Sequence, residues 1–263
     1  MIPKKICMTS YTESLADPII RNSHENLKSI NPKWNLSIWE EDRRIDFIKN
    51  IYGTEILDTY MKINPIYGSA RSDLFSFLYI YEIGGVYLDD KTFCKTPFDN
   101  FISDKDEIIF CQWSNQLGDY YEGWGLHPEL YQISGGELMH SFFAAKPKNI
   151  FIKSIINYVI NLINNYSPNT NRLGAYEILR TTGPVALTIG VFKKIVELRK
   201  SKTKFINPKI YKMNDIGLIF SVLDGPDKKP GVNQRIRKNH YTKIRAPLII
   251  NKSNLVFKED ITL

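Results

Sequence analysis

The chain has 263 residues, 43% of them hydrophobic and 13% aromatic, enough to bury a substantial core without a staple. Its 35 Lys and Arg against 28 Asp and Glu leave a net charge of +7, which favours an anionic partner. The basic residues are scattered and carry no nucleic-acid motif, so no nucleic acid is expected as a partner. Cys7, Cys94 and Cys111 have no CxxC spacing and form no even set, which argues against a disulfide framework or a zinc knuckle.

No apolar run reaches the roughly 18 residues of a membrane span, and the first residues lack a signal-peptide core. A cytoplasmic protein with at most peripheral membrane contact is the expectation. Along the chain, residues 6–10 read as a first strand, and residues 17–30 as a helix through Ile20, Leu27 and Ile30 that Asn31-Pro32 stops. Residues 34–39 alternate as a second strand, and residues 42–52 are helical up to Gly53. Leu74, Phe77, Leu78 and Tyr81 then repeat at helical spacing over residues 69–83, predicting a helix with one buried face and Asp73 in its first turn.

Two glycines stop that helix, and the run Gly84-Gly85-Val86-Tyr87-Leu88-Asp89-Asp90-Lys91 follows as a short buried strand ending in carboxylates. Residues 107–112 are a further strand, and residues 113–126 an aromatic, Gly-rich loop long enough to be functional. Residues 131–134 and 141–145 read as paired strands around Gly135-Gly136. Helices are predicted over 150–164, 172–181 and 184–200, the last opening on Pro184, and strands near 204–211 and 217–222. A polar, basic stretch occupies 224–245.

Carboxyl ends of strands in open α/β sheets face the crevice where ligands bind, which makes Asp89 and Asp90 the candidate chemistry of the chain. Two adjacent carboxylates there suit a hard divalent cation, although Asp-rich turns after strands are also common for purely structural reasons. Arg71 and Asp73 would be ordinary helix-start charges alone. With Asp89 sixteen residues on, helix, Gly-Gly stop and strand bring both acids to one sheet edge.

Ala70-Arg71-Ser72-Asp73-Leu74, then Gly84-Gly85-Val86-Tyr87-Leu88-Asp89 and Pro97, resembles the signature of glycosyltransferases with a DxD motif of the family 32 type. Ile2-Pro3-Lys4, Asn31-Pro32-Lys33-Trp34, Trp39 and Thr182-Gly183-Pro184 fit the same pattern. The resemblance spans roughly residues 2–190 and is dense over 67–98. It implies an α/β GT-A fold: a Rossmann-like nucleotide-sugar core with a mixed central sheet over about residues 1–147, and helical and extended acceptor-side additions over about 148–263, in one domain. It also implies transfer of a hexose from a UDP- or GDP-sugar to a glycan or other hydroxyl acceptor, with retention, and Mn²⁺ or Mg²⁺ as cofactor. Members include α-1,6-mannosyltransferases and α-1,4-galactosyltransferases.

By position, the resemblance gives Arg71, Asp73, Tyr87 and Asp89 to the nucleotide sugar, Asp89, Asp90 and Lys91 to catalysis, and Asp89, Asp90 and His240 to the metal. The chain departs from the pattern at Lys91, which stands where the second DxD carboxylate belongs, and at Ser76, where an Arg is usual. Three readings stay open. The Lys91 ammonium replaces part of the metal's charge, Asp89 and Asp90 hold the ion jointly, or the site is degenerate and the protein binds nucleotide sugar or glycan without efficient transfer. Glu137, Glu122 and Asp119 are candidate acceptor contacts, although each reads first as a surface carboxylate. Trp113, Tyr120, Tyr121 and Trp124 are candidate sugar platforms or core, and His24, His127 and His140 have no partner at ligand spacing and read as structural. A dehalogenase-type phosphatase is excluded, because Lys91 removes its second catalytic carboxylate.

Overall fold

The computed structural model describes residues 1–10, 16–168, 174–221 and 244–250. In chain order the described elements are β1 (Lys5–Thr9), α1 (Pro18–Ile30), β2 (Asn35–Trp39), α2 (Glu41–Lys62), α3 (Gly68–Ile83), β3 (Gly85–Leu88), β4 (Phe93–Cys94) and β5 (Ile108–Gln112). They continue with β6 (Leu138–Ala145), α4 (Ile150–Asn164), α5 (Ala175–Thr181), α6 (Pro184–Lys200), β7 (Lys209–Lys212) and β8 (Leu218–Ile219). Local chemistry sets several boundaries. The Asp17 carboxylate accepts from the Ile19 amide at 2.8 Å ahead of Pro18, and Asn149 caps α4 through the Phe151 amide at 2.9 Å.

Six strands form one mixed sheet in the order β2-β1-β3-β6-β5-β7, and β4 and β8 form a small antiparallel pair. All neighbours in the large sheet are parallel except β6, which runs antiparallel to both β3 and β5. Because β2 and β3 lie on opposite sides of β1, the connections diverge there, and the carboxyl ends of β1 and β3 flank a topological switch point. One apolar layer packs the sheet against α2, α3, α4 and α6 through residues such as Phe77, Phe143, Ile152 and Leu187. The other packs it against α1 and the small pair through Met8, Leu27, Leu88, Phe142 and Leu218.

Four expectations change. Gly53 does break the helix (φ 77°), but a second helical segment continues to Lys62. Residues 131–134 are turns and bends, not a strand, and β6 instead pairs with β3 and β5. Helix α3 begins at Gly68, so Asp73 sits in its second turn, beyond the reach of the helix-end dipole. Its burial is also complete from Ala70 to Ile80, on every side. The polar stripe that looked solvent-facing is buried against partners: Ser72 accepts from Arg44 at 2.7 Å, and Arg71 is paired with Glu41 at 2.6 Å.

At the α3–β3 joint the chain turns on Gly84 and Gly85, both at positive φ (71° and 108°). A Cβ at Gly85 would stand 2.4 Å from the Lys5 carbonyl oxygen, so only glycine lets β3 lie this close to β1. The three thiols are free and buried, and burial pushes all of them up, as expected for structural cysteines.

Candidate active site

Strand alternation decides where the acids at the end of β3 go. Tyr87 and Asp89, two apart, face α3, whereas Asp90 turns toward α1. Tyr87 is fully buried, and its hydroxyl donates to Asp89 Oδ1 at 2.8 Å while meeting Thr9 Oγ1 at 3.0 Å. Asp90 is buried, accepts from Ser10 Oγ at 3.0 Å, and its carbonyl accepts from His24 Nε2 at 3.0 Å. His24 is thus a buttress of the turn, in line with its structural reading.

Asp73 reaches the same edge from α3. Thr182 donates to its Oδ2 at 2.8 Å, and His140 Nδ1 stands 3.3 Å from its Oδ1. His140 Nε2 lies 3.2 Å from Ser76 Oγ, whose own proton goes to the Asp73 carbonyl at 2.7 Å. Ser76 Oγ is therefore left to accept from Nε2–H. The assignment follows from satisfying the network.

Burial is the main cause that lifts the Asp73 carboxyl to about 6; His140 and the Thr182 hydrogen bond oppose it, and the Asp89 charge adds to it. Asp89 is raised as well, first by burial and then by Asp90, against His140, the Tyr87 hydroxyl and Lys91. Asp73 and Asp89 thus lie within each other's electrostatic reach, with His140 acting on both.

His140 gets there through a bulge. Phe110 pairs with Phe143 but Gln112 pairs with Leu138, so the intervening β6 residues exceed the ladder and the imidazole is swung onto the α3 side. There it packs edge-on against Phe77 and Tyr87, with ring centroids 5.0 and 5.4 Å apart. The small Ser76 leaves room for it. Sequence reasoning missed this residue, since no spacing signals a bulge of this kind. Thr182 lay in a segment that carried the resemblance, without a role.

Other expected site residues take different places. Two helical positions from Asp73, Arg71 points to the far side of α3, where it is bound to Glu41, to the Ile63 carbonyl at 2.9 Å and over the Tyr60 ring. Its charge is committed to packing α2 on α3, not to a donor. Tyr87 has no exposed face for a base or ribose to pack on and acts by orienting Asp89. His240 lies outside the described residues. Lys91 is half-buried and close enough to Asp89 to lower its pKa.

Beside the acidic turn stands the aromatic loop. Thr92 donates to the Phe220 carbonyl at 2.9 Å, and the Phe220 ring packs on Trp113, Tyr121 and Trp124. Glu137 is no surface carboxylate. It is buried and clamps the loop, accepting from Trp113 Nε1 at 2.7 Å and bonding His127 Nε2 at 2.7 Å, which gives His127 its structural partner. Asp119 and Glu122 accept from loop amides of Gln116 and Gly118. Trp113 is buried, whereas Tyr120 is half exposed on the rim.

Residues 20–108, from within α1 to the start of β5, match the family described as "glycosyltransferase sugar-binding region containing DXD motif". The chain is 26% identical over 134 residues to an uncharacterized glycosyltransferase, L373, of Acanthamoeba polyphaga mimivirus, covering 51% of this chain and 49% of that one. It therefore spans about half the length of this curated relative. Among solved structures, the PaToxG glycosyltransferase aligns with a TM-score of 0.51 at 14% identity, over 76% of this chain and 72% of that one. The ligand-free glycosyltransferase domain from the YGT toxin gives 0.46 at 10% identity, over 80% and 79%. The chain has the GT-A fold of glycosyltransferases, built on a mixed six-stranded sheet, and its residues 20–108 are similar to their sugar-binding region.

Proposed function

We propose that the protein is a glycosyltransferase that moves a hexose from a UDP- or GDP-sugar to a hydroxyl of a glycan or glycosylated acceptor, with retention at the anomeric carbon. The convergence of Asp73, Asp89 and His140 at the switch point between β1 and β3 carries the reading. In this chemistry the anomeric carbon–oxygen bond to the diphosphate breaks, the acceptor oxygen takes its place, and the acceptor proton ends on the departing phosphate. Stabilising the leaving diphosphate is the largest contribution open to the protein. Asp89, held by Tyr87, and the buried Asp73, held by Thr182, are oriented to fix the donor sugar's hydroxyls.

The GT-A fold implies a divalent cation, and the described residues do not assemble its centre. Asp90 is turned onto Ser10, on the other face from Asp89, and Lys91 occupies the second carboxylate's place. Among the described residues no three His, Cys, Asp or Glu gather to hold an ion. In this reading Lys91 brings a positive charge to the donor diphosphate directly, as an ammonium does for phosphate.

A thermal-shift and product-release panel of nucleotide sugars, with and without Mn²⁺, tests the proposal. One donor should raise the melting temperature and release its nucleoside diphosphate. Asp89→Asn should lower release by about a hundredfold or more with the fold intact. A shift without release would favour the second reading, a nucleotide-sugar or glycan binder, to which Lys91 and the inward turn of Asp90 point. Neither shift nor release with any donor would sink both.

A further inference from the structure

Charge is sorted between the two ends of the sheet. Around the carboxyl edge stand Asp73, Asp89 and Asp90 with Lys91 as a cation beside them, and residues 113–137 of the adjoining loop hold Asp119, Glu122, Glu129 and Glu137 without a single Lys or Arg. Helix α6 starts beside that edge, next to Thr182 and Asp73, and its 17 residues carry it about 25 Å to the opposite edge. There residues 193–204 hold six Lys and Arg against Glu197 alone, a net +5 within a chain of net +7.

This basic end is folded, not a frayed tail. The Lys202 amide donates to the Arg199 carbonyl at 3.2 Å and the Thr203 amide to Leu198 at 3.0 Å, which closes the helix. Phe205 then packs on Phe151 of α4 with ring centroids 6.0 Å apart. Since α4 leaves the antiparallel strand β6, its first turn lies at the same edge, and Ile150 lines a groove with Lys153, Lys193, Lys194 and Glu197. Arg199, Lys200, Lys202 and Lys204 are exposed. Among them stand three exposed branched apolar side chains, Ile150 at 43%, Val196 at 48% and Ile206 at 55%.

We infer that this surface docks on an anionic lipid bilayer. Lysines and arginines within a Debye length of acidic headgroups are drawn to them, and the interleaved Ile150, Val196 and Ile206 have the chemistry to enter the boundary between headgroup and acyl chain. A nucleic-acid track would gain nothing from those apolar side chains, which decides between the two polyanions. No described helix is long and apolar enough to cross a membrane, so the contact is peripheral. Docked this way, the acidic edge faces away, about 25 Å above the lipid. The inference is independent of the proposed activity.

Co-sedimentation of the full chain with vesicles tests it, using phosphatidylcholine alone and phosphatidylcholine doped with phosphatidylserine. The protein should bind only the doped vesicles, and added salt should release it. Lys200→Gln and Lys202→Gln should each weaken binding about fivefold, and Ile206→Ser should weaken it at unchanged charge. All three positions are exposed, and unchanged thermal melts would confirm that the variants fold. No binding to doped vesicles at low salt, or binding indifferent to the lysine changes, overturns the proposal. Duplex DNA bound as tightly as doped vesicles, with Ile206→Ser without effect on either, would reassign the patch to nucleic acid and equally overturn it.

Discussion

Asp73 shows the cost of placing a carboxylate in a closed network. Its folded-state value of about 6 lies above its ordinary value of 3.8, so protonation favours the fold. This contribution is complete below about pH 4, the unfolded value, and is lost as pH rises through about 6. At neutral pH the ionised group costs the fold on the order of 2–3 kcal/mol. Asp73→Asn, which keeps an oxygen for Thr182, should therefore melt higher than the parent at neutral pH, and the gain should vanish near pH 4 by calorimetry. Donor turnover should be lost in the same variant. Lys91→Asp makes the complementary case. Restoring a second carboxylate beside Asp89 should make nucleotide affinity strictly dependent on Mn²⁺, where the parent binds with or without it, as calorimetric titration in the presence and absence of chelator would show.

The residues legible in sequence were those whose backbone context is local. Asp89 follows a Gly-Gly stop and a strand, and Asp73 stands at fixed spacing before it. His140 was not legible, because a bulge reversed the face that alternation assigns to it. Arg71 and Tyr87 were legible as important but not in their roles. A buried Arg with Glu41 as partner and a buried Tyr bonded to Asp89 look the same in sequence as ligand-facing ones.

Among the elements, helices with a clear start signal in the sequence were placed well. Helices α4 and α6 span the residues that the sequence predicts, opening after a capping Asn149 and on Pro184. The face exposed on α3 was misjudged because polar residues on a helix signal water only when no buried partner waits for them. Here Glu41, Arg44, Thr182 and His140 take that place. The α3–β3 joint is the weakest to substitution. Gly85→Ala combines a strained positive φ with a clash against the Lys5 carbonyl, and should cost on the order of 2–4 kcal/mol in urea unfolding. The loss should exceed that of Gly53→Ala, whose added methyl would meet nothing within 4 Å.

On the scale of the whole molecule, the alternation of strands and helices announced an α/β sheet, but not that β6 would enter antiparallel between β3 and β5. That pairing joins residues far apart in the chain, and local pattern carries no signal for it. The opposition of an acidic carboxyl edge and a basic amino edge was equally hidden, since charges scattered in sequence sort themselves only once folded.

A helix enclosed on all sides from Ala70 to Ile80 has a kinetic counterpart. Its amides should be among the last in the protein to trade hydrogen for deuterium, opening only with global unfolding. Donor nucleotide, by stabilising the folded state, should slow those rates further and also slow exchange in residues 113–126. Should α3 itself trade quickly in the free protein, the rigid platform beneath Asp73 does not exist.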